Sequence, residues 1–133
     1  MDICHSKLNK ICESKPQQQQ NKFRRLVLNR FNNKCPISGH RDTVDACHIL
    51  ERKNSLEFRD KGDLYNGILL SKTLHCAFDK KIFTIDENTC CIKILNPNHT
   101  LHNIGLEEGK YIWQLDNEKS KYYLQLRNEV FNS

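Results

Sequence analysis

The chain has 133 residues, of which 38% are hydrophobic, and a formal net charge of +5. That length holds one compact domain with short appendages, and the apolar share is enough to build a core. No apolar run approaches the ~20 residues of a membrane span, and the opening MDICHSKLNK lacks the basic-then-apolar order of a signal peptide. The expectation is a folded intracellular protein of the cytoplasm or nucleus, neither secreted nor membrane-bound.

Residues 1–22 read as an appendage. A weak helical pattern at Ile3, Leu8 and Ile11 gives way to SKPQQQQNK, which has linker composition. The compact domain is expected over 23–133. Phe23, Leu26, Val27, Arg30 and Phe31 recur at the period of an amphipathic helix, which Asn32–Asn33 should end. CPISGHRD then makes a turn around Pro36 and Gly39.

TVDACHIL alternates and reads as a strand, with Val44, Ala46, His48 and Leu50 on one face and Thr43, Asp45, Cys47 and Ile49 on the other. ERKNSLEFRDKGD is a charged loop. Asn66–Gly67 is a tight-turn dipeptide ahead of the apolar ILL. SKTLHCAFDKK is helical, with Ser71 or Thr73 as its cap and Leu74–Phe78 as an i,i+4 pair. IFTID and CCIKIL form two short strands around Glu87–Asn88, and YIWQL is expected to be another strand. The closing EKSKYYLQLRNEVF should be a helix that packs through Tyr123, Leu126 and Val130, with Tyr122 and Phe131 beside them.

Two features of composition bear on chemistry. Residues 1–61 carry 13 basic and 7 acidic residues, and residues 62–133 carry 8 and 9. A basic half suits a polyanion, although an ordinary positive surface gives the same balance. The seven cysteines are an odd number and contain no CxxC pair, so reduced thiols are expected rather than a disulfide framework or a paired zinc site.

Three candidate groups then fall within a short stretch. His75 and Asp79 are one helical turn apart and can share a divalent cation. His48 lies among apolar neighbours on a strand, where desolvation favours the neutral imidazole that a general base requires. Asn66 sits at the turn between them. Singly, each has a plainer reading: a packed core histidine, a solvated helix face, a turn. Their order of strand, turn and helix is what gives them weight.

That order resembles the HNH endonucleases, in the branch marked by DAxHI, NGxLL, LHxxFD and FTID. Here the motifs read DACHI (45–49), NGILL (66–70), LHCAFD (74–79) and FTID (83–86). The closing YYLQLRNEVF is similar to that branch's terminal helix. The resemblance implies an α+β fold: a ββα-metal core with flanking N- and C-terminal helices and a small additional β-hairpin. It implies His48 as the base that deprotonates the attacking water, Asn66 as the residue that braces the loop, and His75 and Asp79 as ligands of one divalent metal ion. Mg²⁺ or Mn²⁺ fits that activity, with Zn²⁺ as the alternative. DNA is the implied substrate, cut to a 5′-phosphate and a 3′-hydroxyl, and a homodimer is one route to cutting both strands.

The chain departs from the pattern in two places. Cys47 stands where many HNH enzymes carry a metal-binding Asp or His, and Asp45, about 7 Å along the same strand face, is the expected substitute ligand. The CxxC pairs that staple many HNH domains with zinc are absent, with Ser38, Ser71 and Leu74 at those places. Arg24, Arg25 and Arg30 on the first helix, with Arg52, Lys53, Arg59 and Lys61 in the loop, are the expected phosphate contacts. Two further readings stay open: a catalytically inactive HNH-fold module that binds nucleic acid, and a zinc-stabilised interaction domain.

Overall fold

Helix α1 (Lys15–Arg30) begins earlier than the Phe23 start expected from its apolar spacing. The polar run before Phe23 is helix: Pro16 occupies the first turn, where its missing N–H costs nothing, and the glutamines that follow are good helix formers. In this computed structural model, residues 15–51, 62–97 and 100–132 are described. The N-terminal reading before Lys15 and the loop cations Arg52, Lys53, Arg59 and Lys61 lie outside them.

The apolar face of α1 is the one its spacing predicts. Phe23, Val27 and Phe31 are buried, while Leu26 and Arg30 sit at the margin. Asn32 and Asn33 end the helix with φ of 55° and 57°, the left-handed region that asparagine tolerates. The chain then turns through Cys35–His40, where Gly39 N–H donates to Cys35 O at 2.9 Å and Cys35 N–H to His40 O at 2.9 Å.

Strand β1 (Val44–His48) pairs antiparallel with β2 (Gly67–Ser71), in a register that sets Val44 opposite Ser71 and His48 opposite Gly67. Ser71 ends β2 and caps helix α2 (Lys72–Asp79), its Oγ accepting from Leu74 N–H at 3.5 Å. Because α2 packs back over both strands, Leu74, Ala77 and Phe78 are buried against them. A second antiparallel pair follows, β3 (Phe83–Ile85) with β4 (Ile92–Ile94), joined by the expected turn after Asp86. Helix α3 (Glu118–Asn132) closes the chain. The result is a small α+β fold whose described elements include three helices and two two-stranded sheets. Among the described residues no helix is long and apolar enough to cross a membrane.

Three expectations are corrected. Asn66–Gly67 is not a tight hairpin turn: residues 64–66 form a 3₁₀ turn and Gly67 is extended at φ −125°. YIWQL is not a strand. Tyr111 makes one isolated bridge to Cys91, and residues 113–115 coil into a 3₁₀ turn, leaving Trp113 64% exposed. On α3 the buried stripe is Ser120, Tyr123, Leu124 and Arg127, whereas Tyr122 and Val130 are exposed. The helix turns this partly polar face inward because backbone carbonyls of the β1–β2 region accept from Ser120 and Arg127.

Gly67 is required by close approach. A Cβ there would collide with Val27 Cγ2 and would lie 3.0 Å from Phe23 Cζ and 3.1 Å from the Leu64 carbonyl oxygen. Gly67→Ala is therefore expected to destabilise the fold by about 1–3 kcal/mol through overpacking, measured as a lower urea midpoint with an unchanged slope.

Candidate nuclease centre

The expected site residues lie on three chain segments: β1, the 3₁₀ turn before β2, and α2. His48 is the last residue of β1, and its imidazole lies flat against Phe23 of α1, with ring centroids 4.1 Å apart and planes 3° from parallel. The stack fixes the ring plane and shields one face from water, leaving the side chain half-buried.

Asn66 is fully buried and binds a single backbone unit. Its Oδ1 accepts from Leu50 N–H at 2.8 Å and its Nδ2 donates to Leu50 O at 3.2 Å. Ile49 N–H donates to the Asn66 carbonyl oxygen at 2.9 Å. The two residues after His48 are thus tied to Asn66 by three hydrogen bonds.

On α2, His75 lies between two carboxylates. Its Nδ1 is 2.9 Å from Asp45 Oδ2 and its Nε2 is 3.2 Å from Asp79 Oδ2. The other oxygen of Asp45 pairs with Lys72 Nζ at 2.9 Å. Burial pushes the Asp45 carboxyl up, but the hydrogen bonds from His75 and Lys72 outweigh it and hold it below the ordinary value. A group depressed in the folded state contributes stability above its unfolded pKa of about 3.9 and loses it as pH falls through the folded value. Asp45→Asn is therefore expected to destabilise the protein at neutral pH. Its stability should converge on wild type below about pH 4, as read from urea unfolding at several pH values.

Cys47 is buried and its thiol faces the Asp45 carbonyl oxygen at 3.5 Å. Burial, reinforced by the nearby Asp45 and Asp79 charges, pushes that thiol far up, so it stays protonated at neutral pH in the metal-free protein.

The expected site residues therefore divide. Asp45, His75 and Asp79 are in direct contact. Asn66 is tied to the segment that follows His48. Arg24 and Arg25 are exposed on α1 and line an open groove of about 450 Å³ with Asn21, Leu28, Asn29 and Asn33. Arg30 is turned inward: its guanidinium lies 4.6 Å from the Tyr65 ring centre and donates to Gln114 O.

No sequence pattern marks a cleft of about 310 Å³ lined by Ile49, Leu50, Glu51, Asp79, Lys81, Arg127, Val130 and Phe131. Arg127 is 2% exposed, on a helix whose sequence offers Tyr123, Leu126 and Val130 as the packing residues. No local signal marks it, because its partners are two main-chain carbonyls far away in the chain.

Among the described residues no group of three or more His, Cys, Asp or Glu side chains is arranged to hold an ion. Two donors do fit. Neighbouring donors on an octahedral ion with ~2.1 Å bonds stand about 3 Å apart, close to the 3.2 Å between His75 Nε2 and Asp79 Oδ2. A neutral imidazole has one N–H, so it satisfies one carboxylate and turns a lone pair to the other. When the ring is neutral with its N–H on Asp45, Nε2 turns its lone pair toward the Asp79 carboxylate, an arrangement that a cation relieves.

No curated protein matches the chain. Residues 35–86 match a family model described as HNH endonuclease, and that segment runs from the Cys35 turn through β1, β2 and α2 to the end of β3. By this match, the segment that carries His48, Asn66 and His75 is similar to the HNH endonuclease family.

Proposed function

We propose that the protein is a metal-dependent DNA endonuclease that hydrolyses phosphodiester bonds, with β1, β2 and α2 as a ββα-metal core. The observation that carries this reading is the contact of His75 with Asp79 on α2, inside the segment that matches the HNH endonuclease model, with Asp79 also lining a cleft shared with Ile49–Glu51. His48 takes the proton from the attacking water, its ring held by Phe23 and the backbone after it held by Asn66. His75 and Asp79 would hold one divalent ion, with water and substrate oxygens completing its shell, as Mg²⁺ or Mn²⁺ accepts. When bound, that ion supplies positive charge against the phosphate oxygens and the leaving 3′ oxygen.

Asp45, expected from the sequence as a ligand, is better read as the residue that orients His75. Both its oxygens are engaged, by His75 and Lys72, and a carboxylate on the far nitrogen is the usual way a ligating histidine is fixed. Lys81 in the cleft and Arg24 and Arg25 on α1 are the cations offered to phosphates.

The test is nicking of supercoiled plasmid by the purified chain with Mg²⁺, with Mn²⁺ and with EDTA. Cleavage with either metal and none with EDTA is expected. Binding without cleavage under every metal would overturn the enzyme reading in favour of an inactive nucleic-acid-binding module. That second reading draws on the small donor set, which lacks a third protein ligand among the described residues.

A further inference from the structure

We propose that Arg127, on a helix outside the segment matched to the family, is a positioning residue that holds the His48 end of β1 and the Asp79 end of α2 at a fixed separation. The inference rests on the nuclease reading above and adds a residue to it. Arg127 Nη1 donates to Ile49 O at 3.0 Å and Nη2 donates to Phe78 O at 2.6 Å. Ile49 directly follows His48, and Phe78 directly precedes Asp79. One planar side chain therefore ties the backbone beside the base to the backbone beside a metal-binding carboxylate.

The surroundings suit this role and little else. The guanidinium carbon lies 3.5 Å from the Phe78 ring centre and 4.4 Å from that of Phe131, so the fork is clamped between α2 and the end of α3. Phe78 O belongs to the last turn of α2, where it also accepts from Lys81 N–H at 3.3 Å and where a cation is favourable against the helix dipole. Burial lowers the Arg127 pKa to about 10, with the Asp79 and Glu51 charges working against that fall, and it remains a cation at neutral pH. An apolar side chain would fill the space more cheaply than a charge whose Nε has no hydrogen-bond partner. What an apolar side chain cannot do is set the distance between two carbonyls. Lysine, a point donor on a flexible stem, cannot hold both in a fixed plane.

The same helix reaches the third position. Ser120 Oγ donates to Tyr65 O at 2.8 Å, and Tyr65 precedes Asn66. One face of α3 thus touches the main chain beside His48, Asn66 and Asp79.

The experiment compares wild type, Arg127→Lys and Arg127→Met with Asn128→Ala as the stability control. Asn128 lies on the same helix but bonds to Ile85 O, Glu87 and Thr84, away from the cleft. Plasmid nicking is measured well below each melting temperature, and the histidine ring signals of the metal-free protein are followed by NMR. Arg127→Met is expected to lower kcat by about 10- to 100-fold with KM within about threefold, the cost of sub-ångström misplacement. Arg127→Lys should recover part of that loss. The His48 and His75 ring signals should shift in both Arg127 variants and not in Asn128→Ala.

Equal kcat and unchanged ring signals in the Arg127 and Asn128 variants would overturn the proposal while leaving the nuclease reading intact. A wild type that cleaves with no metal would overturn both. Should Arg127→Met fail to fold, Arg127→Lys carries the same comparison.

Discussion

His48→Ala is expected to reduce metal-dependent nicking by about a hundred- to ten-thousand-fold, the usual range for removing a positioned general base. The substitution also removes a ring stacked on Phe23 at 4.1 Å, so lost packing must be separated from lost chemistry. The stack contributes roughly 0.5–1.5 kcal/mol beyond area burial, too little to unfold a domain of ordinary stability. Phe23→Leu supplies the separating measurement. It keeps the imidazole and the helix face but removes the flat partner, so the ring gains freedom while the base remains. Its activity should fall far less than that of His48→Ala at a comparable melting temperature. A His48→Ala protein that nicks plasmid at the wild-type rate would remove His48 from the mechanism.

The parts of the fold that were legible in the sequence are those with one strong local signal. Phe23, Val27 and Phe31 sit at helical spacing on the buried face of α1, and Asn32–Asn33 end the helix with the positive φ that asparagine allows. Ser71 caps α2, and Leu74 with Phe78 buries it. The motif order brought His75, Asp79 and Asp45 forward as a group, and they are in contact.

What local pattern missed was decided by distant partners. The glutamines ahead of Phe23 lack an apolar period, yet they extend α1 because nothing in them breaks a helix. Asn66–Gly67 has the composition of a hairpin turn, but Gly67 is glycine for a different reason: Val27 and Phe23 come too close for a side chain. The buried stripe of α3 departs from its apolar spacing, since Leu126 and Val130 are more apolar than the buried Ser120 and Arg127. Carbonyls of Tyr65, Ile49 and Phe78 reverse that preference, and nothing within α3 announces them.

Asn66→Ala is expected to be the most damaging single change to stability at the site. Asn66 and Leu50 are both buried, and the amide satisfies both main-chain groups of Leu50. Truncation leaves a buried N–H and a buried C=O without that partner, each costing about 1–3 kcal/mol, with a small cavity added. The total, about 2–6 kcal/mol before the cavity, corresponds to a fall in melting temperature on the order of 10–20 °C for a domain of this size. Asn66→Asp separates geometry from packing. It keeps the shape and the acceptor toward Leu50 N–H, but it replaces the donor with an oxygen facing Leu50 O. That contact is repulsive while the carboxylate is charged and becomes a hydrogen bond once it is protonated. Asn66→Asp should therefore recover stability relative to wild type as pH is lowered, whereas the deficit of Asn66→Ala should not depend on pH. A pH-independent deficit in both variants would mean that the amide fills space rather than aligning the chain. In that case Asn66 would not be the residue that holds the segment after His48 in register with the cleft.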